Sequence, residues 1–204
     1  DIALVPKGTA GAFMLSVPTS SSAGGNKRGF LAQDLQMSRT GAAQVASGAA
    51  SFTACKKNTA SGSASAAINE SNIASGATCF VYGDSGNSFQ VVNRSVHGGG
   101  LLGTSGGTQR SQYVLKKRTT DTTPTVLVTN TAAASTFNQV VIEVGQAVAF
   151  KGMIVAKQQQ SSTNCSMWNI EGLIYKDTTM ASTTLVASAV TAVSNGPGWT
   201  APGL

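Results

Sequence analysis

The chain offers few side chains for acid–base or nucleophilic chemistry. Its 204 residues include one histidine, His97. A Ser-His-Asp or Cys-His site needs an imidazole beside both a nucleophile and an orienting group. His97 begins the glycine-rich stretch 97–112 and has no local partner motif. We therefore interpret it as a solvated or capping residue.

Paired carboxylates are the chemistry of glycoside-cleaving enzymes, in which two acids flank the bond. The chain has eight acidic residues, of which Asp84 and Asp121 lie in turn-like sequences. Glu143 and Glu171 lie on predicted strands and could approach each other, but we favour a solvated face or an ion pair with a lysine. We therefore predict no enzymatic activity, although acids from different subunits could still form a groove.

Cysteine spacing and glycine-rich runs indicate no cofactor. Cys55, Cys79 and Cys165 are too far apart for a metal knuckle and odd in number, so we predict buried free thiols. One histidine and no close cysteine pair predict no metal site. The run GTSGGT (103–108) lacks the lysine and helix of a phosphate loop. The sequence thus predicts no catalytic, cofactor-binding or metal-binding residue.

The composition favours an all-β fold. Only 11% of the residues are charged and 6% are aromatic, whereas 23 are glycine. A helical protein usually has many charged residues on its solvated faces. Here Ser, Thr, Asn and Gln must cover those faces, and they are typical of sheet surfaces and turns.

The formal net charge is +6, but the basic residues do not form one block. Lys56-Lys57 and Lys116-Lys117-Arg118 are not interleaved with aromatic residues as in a base-stacking surface. We predict solvated faces, with attraction to an anionic cell surface as the alternative, and no nucleic-acid partner.

Membrane and export signals are missing from the sequence. No 18-residue apolar run predicts membrane insertion, and the first residues do not form a signal-peptide pattern. The chain starts with Asp1, which indicates a processed or excised piece of a longer chain.

The triplet Ala-Ser-Gly recurs at 46–48, 60–62 and 74–76 and defines a repeat. The copies span 44–57, 58–71 and 72–85, fourteen residues each. Such a short unit cannot bury an apolar face alone, so each copy must stack on its neighbours as a β-solenoid. Position 5 is always glycine, for a positive φ or a close backbone approach. Positions 9 to 11 have the larger apolar groups, and a fourth copy from Gly86 is barely detectable.

The flanks divide the chain into four regions. We predict an extended N-terminal attachment segment (1–43), a β-roll (44–96), a glycine-rich linker (97–112) and a C-terminal antiparallel β-sandwich (113–204). Within the first region, FLAQDLQMSR (30–39) fits a short helix or a short strand equally well.

Alternating strands predict the sandwich. The predicted strands are YVLKKR, PTVLVT, FNQVVIEV, AVAFKGMIVAK, SMWNIEGLIYK and TTLVASAVTAVS. In the fourth strand, Val148, Phe150 and Ile154 share one face, and Lys151 and Lys157 share the other.

Aromatic residues of this region divide between core and surface. In the fifth strand, Trp168 alternates with Asn169 and Glu171, as do Ile170 and Ile174. Trp168, Phe150 and Phe137 are predicted core residues, whereas Tyr175 and Trp199 are alternatives for sugar stacking, with Trp199 also a possible cap.

These motifs resemble bacteriophage tail fibres and related virion fibre proteins. The NTASG-type unit is similar to the head repeat of YadA-like trimeric adhesins. IALVPKGTAGA (2–12), GGNKRG (24–29), the segment 108–129, AFKGMIVAKQQ (149–159) and NIEGLIY (169–175) resemble the flanks and C-terminal β-domain of such fibres. The copies here end in ACKK, INES and YGDS instead of glycine-rich sequence, and a last pair of strands is absent. The sandwich is therefore expected to be shortened or completed by another subunit.

The resemblance implies a parallel homotrimer, with the solenoid as a spacer and the C-terminal domain as a knob at the virion surface. Partners would be other virion proteins through the N-terminal segment and a host cell-surface glycan or protein. A capsid decoration (head-fibre) protein and a fragment of a trimeric cell-surface adhesin are the alternatives. The receptor-binding residues are unknown from the sequence.

Overall fold

The structure is a computed structural model that describes residues 17–121, 123–159, 164–177, 183–194, 196 and 202. These residues form eleven strands and no helix. The chain divides into two compact units, Asp1–Val141 and Ile142–Leu204. The predicted all-β class is confirmed.

The first unit is a β-solenoid of about four turns. One wall is a six-stranded sheet in the order β1-β2-β4-β6-β7-β8, in which only the last pair is antiparallel. A second wall is the parallel pair β3-β5. The strands are β1 (Gln33–Ser38), β2 (Phe52–Lys56), β3 (Thr59–Ala60), β4 (Ala66–Ala67), β5 (Ile73–Ala74), β6 (Phe80–Asp84), β7 (Ser95–Gly99) and β8 (Gln109–Gln112).

The register of the sheet confirms the fourteen-residue coil. Phe52 pairs with Ala66, and Ala66 pairs with Phe80. Phe80 then pairs with Ser95, so the next coil is one residue longer. The sheet therefore continues across the coil that the sequence repeat barely indicates.

The solenoid is also longer than the predicted 44–96. β1 extends it toward the N-terminus and settles FLAQDLQMSR as a strand rather than a helix. β7 and β8 lie in or reach into 97–112, so a free linker there is wrong. The two end coils lack the Ala-Ser-Gly motif. They belong to the solenoid because their backbones pair with the neighbouring coils.

The solenoid core is narrow and built from small side chains. Only position 10 of the apolar triplet points inward, and positions 9 and 11 point outward. Position 3 supplies the facing alanines. The buried apolar side chains that contact one another are Ala60, Ala67, Ala74, Cys79, Val81 and Val96.

A glycine ladder explains position 5. A Cβ atom on Gly48 would lie 2.1 Å from the carbonyl oxygen of Gly62, and one on Gly62 would lie 2.0 Å from that of Gly76. Gly29 and Gly76 continue the ladder at the two ends. None of the four has a positive φ. Of the two predicted reasons for glycine, the close approach of backbones is therefore the one that applies.

Left-handed backbone occurs at other positions of the coil. Ala50, Ala64 and Thr78 occupy position 7 with φ of 53°, 52° and 55°. A left-handed conformation costs an L-residue about 1–2 kcal/mol. The packing of the coils must therefore offset local strain in every turn.

An amide ladder joins the coils on the inside. Asn72 donates through Nδ2 to the carbonyls of Ile68 (2.6 Å) and Gly83 (2.7 Å), and its Oδ1 accepts the N–H of Gly86 at 2.8 Å. Its own N–H bonds to Oδ1 of Asn58. Asn58 makes the same contacts one coil earlier, and Gln36 Oε1 accepts the N–H of Asn58. Buried amides thus satisfy turn backbone that would otherwise be unpaired.

Charged side chains close the core in the first coil. The Asp34 carboxylate is buried between Arg28 and Arg39, each 2.8 Å away, and also accepts a hydrogen bond from Thr53. Burial lowers the pKa of Arg28. Two cations around one buried anion compensate its desolvation.

In the last coil, the side chain of Arg94 covers the end of the solenoid core. It is buried, donates to Ser111 Oγ and the Ser88 carbonyl, and lies over the rings of Phe89 and Tyr113. Such cation–π contacts stabilise a buried guanidinium.

The second unit is one three-stranded antiparallel sheet in the order β11-β10-β9. The strands are β9 (Ala147–Lys157), β10 (Cys165–Lys176) and β11 (Thr183–Ser194). The predicted antiparallel C-terminal sheet and the alternation of β9 and β10 are confirmed.

The other predicted strands of the sandwich do not form a second layer in the described part of this unit. YVLKKR and PTVLVT contribute one isolated bridge, Lys116 to Val128. The first two residues of FNQVVIEV, Phe137 and Asn138, lie in a turn. The boundary between the units lies at 141/142 instead of 112/113, because residues 113–141 cluster with the solenoid.

Candidate functional site

The sole histidine lies on the outside of the solenoid. His97 is exposed on β7, and its ring stacks on Tyr82 with centroids 4.7 Å apart and planes 6° apart. Its partner across the strands is Arg110 of β8. A cation beside an imidazole does not orient it as a general base.

The two glutamates that the sequence placed on strands lie in different settings. Glu171 is exposed on β10, in register with Lys151 of β9. Glu143 is not on a strand, and its turn is held to the Lys176 end of β10 through Gly145. Five residues of strand, about 16 Å, separate that end from Glu171. The turn that contains Glu143 is therefore anchored at a different point of β10 from Glu171.

The predicted turn role is confirmed for Asp121 and is wrong for Asp84, which is the last residue of strand β6. Asp121 is exposed and accepts the N–H of Thr123 at 2.8 Å, which lowers the pKa of its carboxyl. Asp84 ends β6 and accepts a hydrogen bond from Ser85 Oγ. Neither is held in a cleft.

The thiols differ in exposure, so the prediction of three buried cysteines is wrong for Cys55 and Cys165. Cys79 is buried in the position that Ser51 and Ser65 occupy in earlier coils, with Sγ 2.8 Å from the Val91 carbonyl. Burial raises the pKa of its thiol. Within the described ranges, no three His, Cys, Asp or Glu side chains are grouped to hold a metal ion.

The run GTSGGT joins β7 to β8 as a tight connection. Gly103 and Gly106 have positive φ, and a bridge links Leu102 to Thr104. The run therefore belongs to the end of the solenoid sheet, and the prediction of a linker is wrong.

The aromatic predictions are partly correct. Trp168 is 3% exposed and Phe150 is half-buried, whereas Phe137 is 53% exposed and is not a core residue. Tyr175 is 40% exposed on the second unit's sheet. Trp199 lies outside the described residues.

An outward stripe of apolar side chains runs across the six-stranded sheet. We call it the outer solenoid stripe. The ring of Tyr82 stacks on both Phe80 and His97, so its faces are covered by protein rings instead of being free for a sugar. The stripe thus suits protein contact better than sugar stacking. Its members are Phe52, Ala54, Ile68, Phe80, Tyr82 and His97.

A column of charges borders the stripe. Lys56 lies 2.8 Å and Lys57 3.8 Å from the Glu70 carboxylate, and Asp84 continues the column. These pairs are partly exposed, so they contribute little to stability. The charged column forms the boundary of the outer solenoid stripe on one side.

The second unit has two unequal sheet faces. The Trp168 face has Lys176 at one end and otherwise presents apolar side chains from all three strands, among them Val148, Phe150, Ile154, Trp168, Ile170, Ile174 and Val190. The Glu171 face mixes charge with exposed apolar groups: Lys151, Met153, Val155, Asn169, Glu171, Leu173 and Tyr175. An open depression of about 420 Å³ around Gly172 touches Lys151 and Glu171.

Compared with protein-family models, curated proteins and solved structures, the chain has no significant match. In the part of the chain that the structure describes, no helix is long and apolar enough to cross a membrane. The fold and the two surfaces therefore carry the functional argument. The sequence did not predict which strands form the edges of the second sheet, because the order of strands in a sheet does not follow from local sequence patterns.

Proposed function

We propose that this chain is a non-enzymatic structural virion protein, a trimeric bacteriophage tail fibre or spike that attaches to the host surface. The single observation that carries the proposal is the order of modules: a β-solenoid stacked from short coils is followed by an antiparallel sheet with exposed apolar side chains. A solenoid grows along one axis and suits a spacer.

The chemistry of the described residues supports a binding role rather than a reaction. His97 faces Arg110, and the turn that contains Glu143 is anchored at a different point of β10 from Glu171. Three copies of a weak site on one assembly would give avidity without tight individual contacts. A net charge of +6 would favour approach to an anionic envelope and would do so less at high salt.

The trimer is tested by light scattering on the full chain. We expect a molar mass near three times 20.6 kDa. A monomer at micromolar concentration would remove the trimeric fibre from the proposal.

Attachment is tested with the same protein labelled at its exposed thiols, Cys55 and Cys165. Binding is measured on a panel of intact bacteria and on purified lipopolysaccharide and cell-wall sacculi. We expect saturable binding to some members, competition by unlabelled protein and weaker binding at higher salt. Failure to bind any cell or envelope preparation would refute the attachment role.

A further inference from the structure

The outer edge of the second unit's sheet is unusual for a free edge. β11 has twelve residues, and every one except Val190 is exposed. Its sequence TTLVASAVTAVS contains no charge, proline or glycine, and no described strand lies on its outer side. Natural sheets protect such edges with lysine, proline or a cover, because a bare apolar edge recruits another strand.

β9, at the opposite edge of the same sheet, is also without an outer neighbour among the described residues. Both β9 and β11 are antiparallel to β10. They therefore run in the same direction. Rotation of a copy about an axis along the strands preserves that direction, so β11 of one copy can meet β9 of the next only as a parallel pair.

We propose that β11 pairs in parallel with β9 of the next copy, and that three copies close into a nine-stranded barrel with the Trp168 face inside. The proposal rests on the trimer of the proposed function and assigns its contact surface. The join is head-to-tail, and such contacts form a closed ring when the rotation closes. Closure also leaves no free strand edge.

The distribution of charge decides which face points inward. Lys151 and Glu171 lie opposite each other on the Glu171 face, and Lys157 lies on that face too. The Trp168 face has one charged side chain, Lys176, at the end of β10. A closed barrel interior accepts apolar side chains along its length and a charge only at its mouth.

The strand count favours three copies. A barrel of about eight strands has an interior that side chains just fill, whereas much larger barrels leave a channel. Two copies would give six strands around Trp168, Phe150 and the isoleucines, and four copies would give twelve. Nine strands lie nearest to the filled size.

The strand edges, rather than the sheet face, provide the main contact between copies. Strands of this length span about 36 Å, so each seam offers a long row of backbone groups. Because Trp168 is already 3% exposed in a single copy, pairing of the strand edges rather than the area of this face would drive the association. The three seams would pair backbone groups that a monomer leaves to solvent.

Two neighbouring residues of β11 provide a matched test by light scattering on the full chain. Val190 pairs with Ile170 on the Trp168 face, and Ala189 pairs with Glu171 on the other face. We expect Val190→Lys to lower the molar mass threefold and Ala189→Lys to leave the trimer intact. Protection of the buried Cys79 thiol reports that the solenoid remains folded in both variants. A trimeric Val190→Lys protein would overturn the proposal.

Hydrogen exchange on the unaltered protein gives an answer that does not depend on any variant. In a closed barrel, all amides of β11 are protected. At a free edge, the amides that point away from β10 exchange within seconds while the alternate ones stay protected. That alternating pattern in a trimer would refute the barrel but leave the trimeric fibre standing. Uniform protection together with failed binding to cells would retain the barrel and refute attachment.

Discussion

The solenoid and the C-terminal sheet are both β-structures, but they satisfy their backbones and bury their side chains in different ways. In the solenoid, each coil is held by its neighbours through buried amides and a glycine ladder. In the C-terminal sheet, β11 is exposed along nearly its whole length and the described residues add no second layer. The first region therefore contains most of its own stabilising contacts, whereas the second leaves an edge strand exposed.

The unfolding of the two regions can be followed separately, by tryptophan fluorescence and by exposure of the Cys79 thiol. Both tryptophans, Trp168 and Trp199, belong to the second unit. Cys79 is buried in the solenoid. Tryptophan fluorescence therefore follows the C-terminal unit, and thiol exposure follows the solenoid.

The largest expected effect is that of Gly62→Ala. The new Cβ would lie 2.0 Å from the Gly76 carbonyl oxygen, which is backbone and cannot rotate away. We expect a loss of about 4 kcal/mol of unfolding free energy in the solenoid, measured by urea titration of Cys79 exposure. Gly41→Ala is the matched control, because nothing lies within 4 Å of its Cβ position. Equal stability of the two variants would contradict the ladder.

A smaller loss is expected for Asn72→Ala. This change leaves the Gly86 N–H and the carbonyls of Ile68 and Gly83 without their side-chain partner. Unsatisfied buried groups of this kind cost about 2–3 kcal/mol. The control is Ser63→Ala, since Ser63 makes one long exposed contact with Ala49. If tryptophan fluorescence shifts together with Cys79 exposure, the two regions unfold as one and the contrast between them fails.

The smallest effect is expected for Cys79→Ser. Ser51 and Ser65 fill the same position in earlier coils and donate to Gly48 and Gly62 carbonyls, so we expect a stability change below about 1 kcal/mol.

In the unaltered protein at pH 8, we expect two thiols to react quickly with a disulfide reagent, and Cys79 to react only on unfolding. Its raised pKa leaves less thiolate, and burial blocks access. Three fast thiols would contradict the buried core position.

The regular part of this fold could be predicted from the sequence because the repeat is local. The Ala-Ser-Gly spacing indicates the coil length, and alternation in AVAFKGMIVAK indicates the faces of β9. The end coils could not be predicted, since Gly29 stacks on Gly48 from a coil without the motif. Asp34 and Arg94 look like solvated charges in the sequence, although both are buried at ends of the solenoid. Of the candidate interface, the sequence predicts the Trp168 face but not the open edge of β11, which depends on strand order.

Because of the amide ladder, successive coils make equivalent contacts with their neighbours. Asn58 and Asn72 form the same contacts one turn apart, and the groups that close the two ends lie in other coils. An in-frame duplication of one fourteen-codon unit would insert a coil that already fits its neighbours above and below. The solenoid would lengthen by about 4.8 Å without any new kind of contact. The length of the solenoid can therefore change in steps of one coil while the sequence of the C-terminal sheet stays the same.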